Sequence, residues 1–309
     1  MKLVFLDALT LGDIDLSSFE KFGEVKIYQT TNKNETIDRI KDADIVLTNK
    51  VIIDKYVIDN SSIKMVQILA TGMNNVDLEY AKQNGIFVKN VAGYSTNSVA
   101  QLTFAMVLNI MNKINYYDNY SKNSYSQSEI FTHIIDFNEL NGKVWGIIGL
   151  GEIGKKVAKI AETFGCKIVY YSTSGKNNNS DYKRVELDEV LKSDIISIHA
   201  PLNDNTKNLL NKNNLNLIKE KAILLNMGRG GIVNEQDLAE IIDKNRFFAG
   251  FDVFTKEPIS KDNPLLNVKN ILLTPHIAWA SVEAREKLVK LAYKNVEDFI
   301  NGKYNAKTL

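Results

Sequence analysis

Cysteine and long apolar runs are almost absent from this sequence. Its 309 residues include one cysteine, Cys166, which cannot form an internal disulfide and which fits a reducing compartment. No apolar run approaches the roughly 18 residues of a membrane-spanning helix. The N-terminal apolar stretch reaches Asp7 too early for a signal peptide. We therefore predict a globular, cytoplasmic protein without a membrane partner.

Excess charge of either sign is also missing. The 38 basic and 37 acidic residues nearly cancel, and no basic stripe carries interleaved aromatic residues. This balance argues against a nucleic-acid partner, and we predict no metal site. The hydrophobic content of 44% is enough for a sizeable core, and the length suits two domains.

Arginine and proline are scarce, which draws attention to where they occur. Only five of the 38 basic residues are arginine, so an arginine in a loop suggests a need for planar, two-point binding. Three of the four prolines are Pro201, Pro258 and Pro275. Each of these three stiffens a segment that we consider functional.

Short β-branched runs alternate with amphipathic stretches along the chain. This alternation predicts an α/β fold of two doubly wound domains with parallel sheets, the first on residues 1 to about 97. Long helices are predicted at about 96–117 and 281–301, and the polar stretch 118–128 is expected to loosen the chain. The predicted strands are 2–6, 24–28, 44–47, 65–69, 86–88, 143–148, 167–171, 194–199, 222–226, 247–252 and 271–273.

A glycine-rich motif follows the first strand of the second series. It reads Gly149-Leu-Gly151-Glu152-Ile153-Gly154 and opens a helical pattern. The first glycine allows the tight turn, the second lets the backbone approach a pyrophosphate, and the third lets the helix pack on the strand. The helix N-terminus supplies free N–H groups for the phosphates. This segment therefore predicts dinucleotide binding.

The end of the next strand leaves the choice between NAD and NADP open. An acidic residue is expected there to hold the adenosine ribose hydroxyls, but Ser172 occupies the position. A hydroxyl does not repel a ribose 2′-phosphate, and Lys176 could reach one. No arginine neighbours Ser172 in the sequence to grip that phosphate.

Three residues beyond later strands suggest acid–base chemistry on a carboxylate substrate. Arg229, flanked by glycines, is suited to gripping a carboxylate and polarising the adjacent carbonyl. His276 beside Pro275 is the candidate proton donor and acceptor, and Glu257 before Pro258 is the candidate carboxylate that steadies it. His199 is expected to line the cofactor cleft.

Together these segments resemble the D-isomer-specific 2-hydroxyacid dehydrogenase family over essentially the whole chain. Several motifs in the right order are far more specific than one. The matching stretches are 71–77, 94–100, 149–154, 226–231, 250–258 and 274–280.

The resemblance implies a Rossmann cofactor domain on residues 98–281 and a flavodoxin-like substrate domain on residues 1–97 and 282–309. It implies that Arg229, Glu257 and His276 are catalytic and that Asp252 binds the nicotinamide carboxamide. The substrate would meet Thr71, Gly72, Met73, Tyr94 and Trp279 as well as Arg229 and His276. The cofactor would meet Gly149, Gly151, Glu152, Ile153, Gly154, Ser172, His199, Ala200, Pro201, Thr206, Asn226, Met227, Gly228 and Asp252.

The function implied is hydride transfer between NAD(P)H and a small 2-keto acid, with hydroxypyruvate or glyoxylate expected first from the Trp279 segment. The family also implies a homodimer through the cofactor domain. An alternative is an NAD(H)-sensing interaction protein of the corepressor type with little turnover, which can retain the catalytic trio. Formate dehydrogenase is a weaker rival, because it uses glutamine where Glu257 stands.

Overall fold

The structure, a computed structural model, describes residues 1–178 and 181–304, and the chain divides into two compact units. Unit 1 comprises Met1–Ser95 and Ala280–Leu309, and unit 2 comprises Thr96–Trp279. The sequence placed these boundaries two residues further along at both points. Residues 305–309 of the predicted substrate domain lie outside the described residues.

Unit 1 is built on a five-stranded parallel sheet in the order β2-β1-β3-β4-β5. This is the flavodoxin-like order expected from the resemblance. The strands are β1 Lys2–Phe5, β2 Glu24–Ile27, β3 Ile45–Thr48, β4 Met65–Ile68 and β5 Phe87–Lys89. The helices are α1 Thr36–Ile40, α2 Lys55–Asp59, α3 Leu78–Gln83 and α9 Val282–Ile300.

The C-terminal helix α9 completes the core of unit 1. The Ser281 side chain caps its N-terminus by accepting a hydrogen bond from the Ala284 amide. The Tyr293 ring packs against Phe19 and the Phe299 ring against Phe87, with ring centroids 5.5 and 5.7 Å apart. The first and last segments of the chain therefore share one hydrophobic core.

Unit 2 contains a seven-stranded parallel sheet in the order β12-β11-β10-β9-β6-β7-β8. Numbered from β6, this is the Rossmann order. The strands are β6 Val144–Ile148, β7 Lys167–Tyr171, β8 Lys183–Arg184, β9 Ile195–Ile198, β10 Ile223–Asn226, β11 Phe248–Phe251 and β12 Ile271–Leu273. The helices are α4 Thr96–Asn112, α5 Ile114–Asn123, α6 Glu152–Thr163, α7 Leu187–Leu191 and α8 Glu235–Asn245.

Both faces of this sheet are buried, as parallel sheets require. Ile148 and Ile196 belong to the hydrophobic cluster on one face, and Ile147 and Ile195 to the cluster on the other. Because all its strands are parallel, the loops after their carboxyl ends gather at one edge of the sheet.

Two local predictions were wrong. The helix predicted at 96–117 is interrupted at Lys113, which adopts a left-handed conformation with φ of 54°, and helical structure resumes from Ile114 to Asn123. The stretch expected to loosen from residue 118 is therefore helical at first. Strand β8 was not predicted, because two polar residues carry no hydrophobic alternation. Within residues 1–178 and 181–304, no helix is long and apolar enough to cross a membrane.

Candidate active site

The glycine-rich turn joins β6 to α6 at the carboxyl edge of the unit 2 sheet. A Cβ on Gly149, whose φ is +92°, would lie 2.9 Å from the Ala200 nitrogen, and one on Gly154 would lie 2.4 Å from the Gly149 oxygen. Packing within the protein therefore excludes side chains at both positions. A Cβ on Gly151 would meet nothing within 4 Å. The open space beside Gly151 fits the close approach of a phosphate group to the backbone.

The first turn of α6 faces the same space. Gly151 is the N-cap of α6, and Glu152 and Ile153 begin the helix. The Glu152 carboxylate is exposed and lies 3.4 Å from the Lys155 ammonium. The predicted contacts of Glu152 and Ile153 are thus ones that their backbone N–H groups can make.

The loop after β7 is tied to the glycine-rich turn. Ser172 is buried, and its hydroxyl accepts a hydrogen bond from the Asn177 amide at 3.3 Å. The Asn177 side-chain nitrogen donates to the Leu150 carbonyl at 2.6 Å, and the Tyr170 hydroxyl donates to the Asn177 carbonyl at 3.2 Å. The Ser172 hydroxyl therefore takes part in holding the loop closed.

The end of β9 packs directly against two glycine loops. Ala200 lies beside Gly149, and a Cβ on Gly228 would stand 2.7 Å from the Ala200 oxygen. The Thr206 hydroxyl is buried and donates to the Pro201 carbonyl at 2.6 Å. Ala200, Pro201 and Thr206 thus form a compact turn against the glycine-rich motif.

His199, one residue earlier, is held in a buried polar chain. The Trp145 indole donates to the Ser197 hydroxyl at 2.9 Å, and that hydroxyl lies 3.0 Å from His199 Nε2. Burial lowers the pKa of His199 to about 3, so the ring is neutral at pH 7. A neutral ring that stays neutral is unsuited to acid–base work near pH 7.

The loop that carries Arg229 has a fixed backbone. The Asn226 side chain donates to the Arg229 carbonyl at 2.9 Å and accepts from the Gly228 amide at 3.1 Å, while Met227 is buried. The Arg229 side chain is partly exposed, and within the described chain its guanidinium donates one hydrogen bond, to the Gly228 carbonyl at 2.8 Å. Its guanidinium pairs with no carboxylate among residues 1–178 and 181–304, so it can bind one from a ligand.

The Arg229 and Glu257 loops meet through backbone contact. A Cβ on Gly230 would lie 1.9 Å from the Phe254 carbonyl carbon. The Phe254 amide in turn donates to Glu257 Oε1 at 3.1 Å. Only glycine fits at position 230, and this fit brings the two loops together.

His276 and Glu257 form the predicted pair. Glu257 Oε2 accepts from His276 Nδ1 at 2.7 Å, and the two side chains are 30% and 22% exposed. Because Nδ1 is committed to the carboxylate, Nε2 is the ring nitrogen that can exchange a proton with a substrate. His276 adopts a left-handed backbone with φ of 55°, and the Glu257–Pro258 peptide is cis.

Asp252 anchors the loop that carries His276. This buried carboxylate accepts from the Thr274 hydroxyl at 2.6 Å and from the Ile277 and Ala278 amides at 2.8 and 2.9 Å. Burial raises the pKa of Asp252, while these hydrogen bonds and His276 oppose the rise. The predicted contact of Asp252 with nicotinamide stays a prediction, and its role in holding the loop was not foreseen.

The remaining predicted substrate residues are divided between the units. Thr71, Gly72, Met73 and Tyr94 belong to unit 1, where the Thr71 hydroxyl donates to the Val91 carbonyl at 3.2 Å and Tyr94 is buried. Trp279, the last residue of unit 2, is partly exposed. Their contacts with substrate stay predictions.

Two residues of this region were missed from the sequence. Asn177 was not singled out, although it bridges the β7 loop and the glycine-rich turn. Arg184 lies on β8, far from Ser172 in sequence, yet its guanidinium donates to the Gly175 carbonyl and the Asn178 side chain, each at 3.0 Å. An arginine therefore does lie beside the β7 loop. In the described part of the chain, no cluster of three or more His, Cys, Asp or Glu residues could hold a metal ion.

The glycine-rich turn on a Rossmann sheet and the adjacent His–Glu pair are features of a dinucleotide-dependent oxidoreductase. Residues 104–278 match the family "D-isomer specific 2-hydroxyacid dehydrogenase, NAD binding domain". The chain is 40% identical to a hydroxypyruvate reductase of Blautia hydrogenotrophica over 315 residues, which cover 98% of each chain.

Solved structures show the same similarity. An acyclic imino acid reductase in complex with NADPH and D-Arg superposes with a TM-score of 0.88 at 31% identity, covering 98% of both chains. A D-lactate dehydrogenase from Aquifex aeolicus, complexed with NAD and lactic acid, gives 0.85 at 26% identity over 98% of this chain and 96% of that one. This protein belongs to the D-isomer-specific 2-hydroxyacid dehydrogenase family, whose members use NAD or NADP.

Proposed function

We propose that the protein reduces a small 2-keto acid, hydroxypyruvate or glyoxylate first, to the D-2-hydroxy acid with NAD(P)H as hydride donor. The observation that carries this proposal is the 2.7 Å His276–Glu257 pair. The loop of Glu257 packs against that of Arg229, an arginine without a carboxylate partner in the described chain. The relative named hydroxypyruvate reductase supports the choice of substrate.

Arg229, His276 and the cofactor each have a separate role in the proposed reaction. The Arg229 guanidinium binds the substrate carboxylate at two points and draws electron density from the neighbouring carbonyl. The reduced cofactor, when bound, supplies the hydride that forms the new C–H bond. His276 Nε2, in the imidazolium form, donates its proton to the carbonyl oxygen, which becomes the hydroxyl of the product.

Glu257 and Asp252 act through His276. Glu257 accepts a hydrogen bond from His276 Nδ1 and so keeps Nε2 facing the substrate. Asp252 fixes the backbone on both sides of the ring. Because both oxygens of Asp252 are engaged by that loop, its removal should disturb the position of His276 as well as any cofactor contact.

The decisive experiment is a panel of initial rates with glyoxylate, hydroxypyruvate, pyruvate and branched 2-keto acids, each with NADH and NADPH. Rates headed by hydroxypyruvate or glyoxylate support the proposal. A panel headed by a branched acid contradicts the substrate assignment. Tight cofactor binding with negligible turnover on every acid would instead favour the NAD(H)-sensing alternative.

We also infer that unit 2 forms the homodimer predicted from the resemblance. Three apolar side chains of the segment 128–139 are strongly exposed: Ile130 at 63%, Phe131 at 90% and Ile134 at 76%. Exposed apolar groups gathered in one segment favour burial against a partner. Sedimentation should give a dimer for the wild type and a monomer for Phe131→Glu combined with Ile134→Glu.

The control for the dimer is Tyr56→Glu, at a side chain of unit 1 that is 65% exposed. It should leave the dimer intact. A wild type that sediments as a monomer, or a double variant that stays dimeric, would refute this interface. The cytoplasmic location stays a prediction.

A further inference from the structure

The loop after β7 and the edge strand β8 place two cations where the ribose end of the cofactor is expected. We propose that Lys176 and Arg184 bind the 2′-phosphate of NADP(H), so that the protein prefers NADPH to NADH. This inference rests on the proposed function for the cofactor's presence and specifies which dinucleotide the site takes.

Residues 172–178, which follow β7, contain no carboxylate. A NAD site needs an acidic side chain at the end of this strand to accept the ribose hydroxyls. The Ser172 hydroxyl is buried and engaged with the Asn177 amide. Residues 172–178 thus offer NADH no carboxylate acceptor, and the one acidic residue between β7 and β8, Asp181, lies five positions beyond Lys176.

Two cationic side chains, Lys176 and Arg184, lie on or beside this loop. Lys176 is exposed and forms no ion pair with any residue in 1–178 or 181–304. Arg184 is also exposed, and the hydrogen bonds of its side chain within the described residues, to Gly175 and Asn178, are donated by Nη1. Its Nη2 lies 3.9 Å from where a Cβ on Gly175 would stand. The guanidinium therefore borders the turn that carries Lys176 and keeps donors for an anion.

The loop after β7 is hydrogen-bonded to the glycine-rich turn. Asn177, next to Lys176, is fixed by three hydrogen bonds, one of which reaches the Leu150 carbonyl between Gly149 and Gly151. The backbone at Lys176 is thereby held close to the glycine-rich turn, and we expect the adenosine end to pass beside it. The nearest carboxylate of that turn, Glu152, already faces Lys155 at 3.4 Å.

The expected size of the effect is moderate, because both cations are exposed. A hydrogen-bonded charge pair with a phosphate contributes about tenfold in affinity, and salt weakens it. With two cations and no acidic side chain in residues 172–178, we expect NADPH to bind at least about tenfold more tightly than NADH at low ionic strength.

The test measures the dissociation constants of NADPH and NADH by nicotinamide fluorescence, without any keto acid. Lys176→Ala and Arg184→Ala should each weaken NADPH binding by about tenfold and leave NADH binding unchanged. Lys183→Ala is the matched control, because Lys183 is the other residue of β8 and its ammonium faces Glu189 at 3.3 Å. It should change neither constant.

Competition by 2′,5′-ADP and 5′-AMP isolates the 2′-phosphate from the nicotinamide end. The first compound should compete at least about tenfold better in the wild type and lose that advantage in Lys176→Ala. If Arg184→Ala weakened both dinucleotides alike, the loop itself would have collapsed. Lys176→Ala would then decide, since its side chain forms none of the hydrogen bonds that hold the loop.

Equal or tighter binding of NADH overturns the inference, as does a Lys176→Ala variant whose preference is unchanged. Preference for NADPH without reduction of any 2-keto acid would refute the proposed function and leave this inference standing. Failure to bind either dinucleotide would refute both.

Discussion

Replacing Glu257 with glutamine should slow oxidation of the D-2-hydroxy acid. The substitution keeps the shape and a hydrogen bond to His276 Nδ1, but it removes the negative charge now 2.7 Å from that nitrogen. When the substrate hydroxyl gives its proton to Nε2, the ring gains a positive charge that the Glu257 carboxylate stabilises. Without that carboxylate charge, the transition state of the proton transfer is higher in free energy.

The structure sets the magnitude of this effect. Two unit charges about 4 Å apart attract by about 1 kcal/mol in water and about 4 kcal/mol at an effective dielectric constant of about 20. The side chains are 22% and 30% exposed, so the lower half of this range applies. Because about 1.4 kcal/mol corresponds to a tenfold change in rate, kcat/KM for oxidation should fall by about tenfold.

The assay is kcat/KM for oxidation of the D-2-hydroxy acid at one fixed pH, for the wild type and Glu257→Gln, with Glu283→Gln as the control at an exposed position on α9. The control should match the wild type. An unchanged kcat/KM in Glu257→Gln would show that the Glu257 charge does not act on His276.

Four further variants test the site. Arg229→Lys should lower kcat/KM by about a hundredfold, since an ammonium cannot grip a carboxylate at two points; near-normal kinetics would refute that grip. Gly151→Ala should leave the melting temperature unchanged but weaken dinucleotide binding measured by titration, because the added Cβ meets only open space; unchanged binding would place the phosphates elsewhere. Gly230→Ala should lower the free energy of unfolding by about 2 kcal/mol or more, since its Cβ would overlap the Phe254 carbonyl, and a normal denaturation midpoint would contradict this. Ser172→Asp should raise the ratio of kcat/KM for NADH to that for NADPH, and an unmoved ratio would show that residue 172 does not face the ribose.

Much of the fold follows from sequence periodicity. Runs such as Ile195–Ile198 are apolar throughout, and they alternate with amphipathic helices, which is sufficient to predict two parallel sheets. The division of the helical segment at Lys113 could not be foreseen, because lysine carries no signal for a left-handed conformation.

The sequence predicted the part of the site in which both the residue types and their positions after strands indicate acid–base chemistry. The His276–Glu257 pair was expected from two prolines and two strand ends, and the structure places the atoms at 2.7 Å. The position of Arg184 beside the β7 loop could not be predicted from the sequence. Its hydrogen bond to Gly175 depends on edge strand β8, which pairs Arg184 with Tyr170. Such a pairing between short polar segments is set by the sheet and not by the residues themselves.

The discontinuity of unit 1 imposes an order on folding during synthesis. Residues 1–95 leave the ribosome first, but the helix whose Tyr293 and Phe299 pack on Phe19 and Phe87 is made last. All of unit 2 is translated in between, which takes roughly 10–40 s at roughly 5–20 residues per second. Unit 2, which is continuous in sequence, can therefore fold before unit 1 is complete. The aromatic residues of 1–95 stay exposed until α9 has been synthesised. A nascent chain stalled before Ala280 would hold one finished domain and one that still offers its apolar surface to chaperones.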